Sequence, residues 1–166
     1  GNAILSGAAV NLAGSSTSAN GSLQLAARSG DLNLSGATTT AGGALDARAT
    51  GTLTNDHGTI ASSGTGTLSV DAGMLSNNSG TIASNGALDV RSSGAVSNRA
   101  GTLAAQTVAT LDVASLENSV GGYIGARTVS VADTGALDNA GGTIQADDTL
   151  SVSAQSVAND GGSIAN

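Results

Sequence analysis

The sequence predicts an all-β chain wound into a parallel β-helix, a solenoid of about eight turns of 20–22 residues. Three observations predict it. Apolar residues recur in columns at a nearly constant interval. Between them the local period is two rather than 3.6. The chain also has no Phe, Trp, Cys or Pro, and Tyr123 is its one aromatic residue. Its interior must therefore be thin and filled by small aliphatic side chains.

The first column is Ile60, Ile82, Leu103, Ile124, Ile144 and Ile164, at intervals of 22, 21, 21, 20 and 20 residues. The second pairs residues two apart: Leu68/Val70, Leu88/Val90, Leu111/Val113, Val129/Val131 and Leu150/Val152. In "TLSV" and "ALDV" an apolar residue alternates with Ser or Asp, which turns Leu and Val inward and the polar residue outward. Each such strand is about three to five residues long, and no window offers the i, i+3, i+4, i+7 stripe a helix needs. Gly58, Gly80, Gly101, Gly122, Gly142 and Gly162 punctuate the repeat, and glycine's tolerance of positive φ predicts that the chain turns at them. At about 4.8 Å per turn the rod is about 40 Å long.

The third column joins an inward apolar residue to an asparagine two positions on. The asparagines are Asn55, Asn77, Asn98, Asn118, Asn139 and Asn159. Sharing the parity of the inward residue, they point into the core, where an unpaired amide is costly. Stacked in register, they are expected to bond from turn to turn as a ladder. Residues 1–52 are a variant of the repeat, with Leu34 where later turns place Asn55, and residues 53–166 carry the ladder. The Ile column, projected back, meets Thr38 or a neighbour. No linker interrupts the pattern, so residues 1–166 read as a single β-helix unit. With Gly1 first and no signal peptide, that unit reads as a fragment of a longer chain.

Composition excludes several classes. No apolar run is long enough for a helical membrane span. A net charge of −7, with five Arg and no Lys, argues against a nucleic-acid partner. Zero Cys excludes a disulfide scaffold, and with His57 as the one histidine a zinc site has no ligand set.

Catalytic chemistry needs clustered groups. Asp46, Asp89 and Asp112 read as the outward middle residue of L-x-V strands, which places Asp89 and Asp112 on adjacent turns. Arg48 and Arg91 stand close enough in sequence to partner them. This reads as a solvated surface rather than a carboxylate dyad. Asp147–Asp148 is the one adjacent acidic pair and reads as a charged turn rather than a calcium site. His57 has no nucleophile or orienting group at a matching spacing. No catalytic, cofactor or metal residues are assigned. Thr59, Thr81, Thr102, Tyr123, Thr143 and Ser163 form an outward column, of which Tyr123 is the candidate surface contact.

The tandem pattern, typified by "GGTIQADDTLSVSAQSVANDGGSIAN" at 141–166, resembles the repeats of filamentous haemagglutinin and related exoproteins of two-partner secretion. That family includes adhesins and the stalks of contact-dependent growth-inhibition effectors. The resemblance implies a right-handed β-helix, secreted to the surface of a Gram-negative bacterium through an outer-membrane partner. The expected function is a structural and adhesive rod that makes or extends contact with host or neighbouring cells. Its partner is then a cell-surface receptor or glycan, and its unpaired end strands favour end-to-end self-association. Two other readings stand beside it: a carbohydrate-active β-helix enzyme, whose long groove loops are missing here, and an ice-binding Thr face, which Tyr123 interrupts.

Overall fold

Short alternating segments separated by Gly, Ser and Asn yield 18 strands and no helix in a computed structural model that describes all 166 residues. Every strand pairs in parallel within one sheet, which winds into a β-solenoid of about eight turns. Each turn has three faces. The first carries L-x-V, as in Leu23–Ala27; the second carries L-x-N; the third carries T-I-A, as in Thr59–Ser62 and Thr81–Ser84. In mid-chain the first and second faces run together through a bend, as in Leu45–Thr54 and Leu88–Ser97. Further on, Tyr123–Asp133 and Thr143–Ser153 join the third face to the first instead.

The inward positions of all three faces meet in one core of 32 buried apolar residues. Ile60, Leu68, Val70, Leu103 and Leu111 are fully covered. Each such side chain contributes roughly 1.5–3 kcal/mol of transfer free energy. Cover fails at the two ends, where the inward-facing Leu5 is 41% and Val157 is 51% exposed because only one neighbouring turn packs on them.

The register corrects two sequence expectations and settles a third. Ala109, not Leu111, stands opposite Leu88, and Leu111 stands opposite Val90, so the pair in that column is Ala109/Leu111. A slip of two preserves inward parity, which is why the apolar pattern did not reveal it. The Ile column continues backward to Thr39, the neighbour of Thr38, as the projection allowed, since Thr39 pairs with Ile60. One turn is also longer than expected, because Leu45 and Leu68 are register partners 23 residues apart.

The third correction concerns the corner after the Asn column. The positive φ falls not on Gly58, Gly80 or Gly101 but one residue earlier, on His57, Ser79 and Ala100 (φ 56°, 54° and 52°). Gly58 N–H donates to Asn55 C=O at 3.0 Å, closing a tight turn with His57 in the left-handed place. Gly14, Gly36, Gly141 and Gly161 fill that place in other turns.

Thr39 is fully buried where later turns carry Ile, and its Oγ1 finds no partner. Thr39→Val keeps the shape and removes the orphan hydroxyl, so it should stabilise the fold by about 1 kcal/mol. Urea melts followed by far-UV circular dichroism would read this as a higher midpoint at unchanged slope.

Candidate functional site

The second face carries the most ordered polar array in the molecule. Asn55 Nδ2 donates to Asn77 Oδ1, Asn77 to Asn98, Asn98 to Asn118, Asn118 to Asn139 and Asn139 to Asn159, every step 2.7 Å. The second amide hydrogen of each donor goes to main-chain carbonyls. Asn98 Nδ2, for example, reaches Gly101 O and Tyr123 O, both at 3.2 Å. Asn55 through Asn139 are fully buried, and Asn159 is exposed at the carboxy-terminal end. The array has a direction, with every Nδ2 pointing toward higher residue number. It begins abruptly. Asn55 Oδ1 is buried without a donor, because the register puts Leu34 beneath it.

The asparagine and the glycine after the corner form one unit. A Cβ on Gly101 would strike Asn77 C=O and lie 2.5 Å from Asn98 Oδ1. Gly80, Gly122, Gly142 and Gly162 meet the corresponding carbonyl and amide in the same way. These glycines are required by close approach rather than by φ. Where the column holds Leu12 or Leu34, the glycine is replaced by Ser15 or Ala37.

The first face carries charge. In-register stacking sets like residues on one another, and like charges there are destabilising. The column Arg48, Asp71, Arg91, Asp112 alternates in sign from turn to turn. Asp112 therefore lies beside Arg91 rather than Asp89: the two aspartates are on adjacent turns as expected, but the two-residue slip puts them in different columns, with Thr110 opposite Asp89. Asp46 and Asp89 share the neighbouring column with Ser69 between them. Arg48 Nε stands 2.9 Å from Asp46, and Arg91 Nη2 stands 2.8 Å from Asp89. The hydrogen bond that Arg48 donates to Asp46, and then the Asp46 charge, raise the Arg48 guanidinium above its ordinary pKa. Each carboxylate at the strand middle is thus tied to an arginine two residues on. A groove of about 730 Å³ runs along this column at the bend between the faces.

The remaining candidates are dispersed. His57 is exposed at its left-handed corner. Asp148 stands 3.6 Å from Arg127 in a surface ion pair, beside the register shift after Ala126. No group of three metal-ligating side chains converges anywhere. One inward carboxylate was missed. Asp133 is buried opposite Val113, its Oδ1 accepts from Gly135 N–H at 2.8 Å, and its Oδ2 is unpartnered. Its parity with inward Val129 and Val131 was the available signal.

Tyr123 is on the third face, between Thr102 and Thr143, and is 38% exposed. Its ring bends along its own strand over Gly125. A Cβ there would lie 2.6 Å from Cε1 and closer still to Cζ and Oη.

A parallel solenoid with self-similar turns and a continuous internal ladder defines a repeat-built β-solenoid protein. The haemagglutinin repeat matches residues 1–65 and again residues 61–166, so the chain belongs to the haemagglutinin repeat family. Fold and family together support an adhesin-type rod segment, in a structural and adhesive family rather than an enzyme family. No curated relative and no solved structure matches.

Proposed function

We propose that this chain is a rod segment of a large secreted surface protein of a Gram-negative bacterium, which makes or extends contact with host or neighbouring cells. Family membership supports the location, and with it export through an outer-membrane partner. The observation that carries the rod reading is the ladder, which ties six successive turns through five identical rungs. A core of this kind keeps its cross-section however many turns are stacked. The uncovered apolar ends, including Leu5 and Val157, favour end-to-end contact with another such turn. In the adhesive reading the lateral surface meets a receptor or glycan, with Tyr123 the foremost contact.

Cell binding separates the two halves of this proposal. Fluorescently labelled protein is titrated onto epithelial cells and onto bacteria. Saturable binding is the result expected of an adhesive surface. Binding that rises linearly on both cell types would overturn adhesion by this segment and leave it a spacer.

A further inference from the structure

The turn that carries Tyr123 departs from its neighbours twice at once. Thr59, Thr81, Thr102 and Thr143 occupy the outward column where it has Tyr123. Ala61, Ala83 and Ala104 occupy the next outward column where it has Gly125. Glycine inside a strand costs about 0.5–1 kcal/mol relative to alanine. Here it clears the space into which the tyrosine ring lies down, since an alanine side chain would overlap the ring. The pair makes an aromatic surface set low on the sheet, not a side chain standing free in solvent.

The same surface gathers planar polar groups. Gln106, Arg127, Gln145 and Asp147 join Tyr123 around a groove of about 310 Å³ that Ala104 also lines. Each glutamine amide offers both donors and an acceptor, and the carboxylate offers acceptors alone. An aromatic ring surrounded by such groups matches the two characters of a sugar: a face of C–H groups and a rim of hydroxyls. Arg127 is held against Asp148, so Asp147 leaves the patch acidic on a chain of net charge −7. An anionic ligand is disfavoured there.

We propose that this groove is a subsite for a neutral saccharide, with Tyr123 stacking on a pyranose ring and Gln106, Gln145 and Asp147 bonding its hydroxyls. The proposal deepens the adhesive reading by giving the contact a chemical class.

The chain supplies its own probe, because Tyr123 is its one aromatic residue and no Trp obscures it. Tyrosine fluorescence is followed while neutral hexose and N-acetylhexosamine oligosaccharides are added, with an oligogalacturonate as the anionic comparison. The expected result is a saturable change with a neutral sugar and none with the anionic one. Gln145→Ala should weaken the response about tenfold, a loss of one well-formed bond set. Tyr123→Thr, which restores the residue of the adjoining turns, removes the signal. It is therefore read by amide shifts at Gly125, Gln106 and Gln145, which should no longer move on sugar addition. A flat titration with every neutral sugar overturns the subsite and leaves the ring as a cover for Gly125. So does an unchanged response in Gln145→Ala. Cells bound saturably alongside a flat titration would keep the adhesive rod and place its contact on another face.

Discussion

Asn98→Ala should lower the unfolding free energy by about 3–5 kcal/mol, a loss shared by the equivalent mid-ladder residues Asn77 and Asn118. The side chain is fully buried and sits mid-ladder. Its removal takes the acceptor from Asn77 Nδ2, the donor from Asn118 Oδ1, and one donor from the carbonyls of Gly101 and Tyr123. Each buried group left unpaired costs about 1–3 kcal/mol. Asn98→Asp should be worse, since a carboxylate offers no hydrogen to Asn118 and buries a charge. Equilibrium urea unfolding of the two variants beside the parent measures both. A loss below about 1 kcal/mol for Asn98→Ala would mean that water enters the gap and satisfies the rung.

Gly101→Ala should cost about 3 kcal/mol through backbone displacement, because the new methyl would meet the Asn77 carbonyl of the turn below as well as Asn98 Oδ1. The two sites are coupled. Leu34 followed by Ala37 shows that the same corner accepts an apolar residue with a methyl after it. Asn98→Leu combined with Gly101→Ala rebuilds that pair. The double variant should be less damaged than the sum of the singles by at least about 1 kcal/mol. Additive losses in the double-mutant cycle would show that the main-chain carbonyl alone sets the demand for glycine.

Fold class was legible because a solenoid writes its core into the sequence at every turn: Ile60 to Ile164 need only be counted. Exact register was less legible. Leu111 and Val113 look like Leu88 and Val90, yet Ala109 is the true partner of Leu88. Inward parity survives a slip of two, so hydrophobicity cannot detect it, and the charge reading of Asp112 fell with it. The corner was misread for a different reason. Glycine signals both backbone freedom and lack of a side chain, and sequence does not say which is in use. His57, Ser79 and Ala100 carry the left-handed turn, while the glycines beside them yield space to a neighbouring carbonyl. The Tyr123–Gly125 contact joins two columns that were read separately, so each departure looked like chance alone.

The ladder's one-way polarity has a genetic consequence. Any stretch of coding sequence that begins and ends at equivalent points between Asn55 and Asn159 encodes whole turns, each bringing one donor and one acceptor. Unequal exchange between such points lengthens or shortens the rod without leaving an amide stranded, because each turn answers only to its neighbours. The exception is the boundary between Leu34 and Asn55, where an orphan oxygen already stands. Exchange across that boundary would multiply the mismatch. The ladder therefore sets no limit on the number of asparagine-bearing turns, whereas every further copy of the junction with the leucine-bearing turns would add another orphan oxygen.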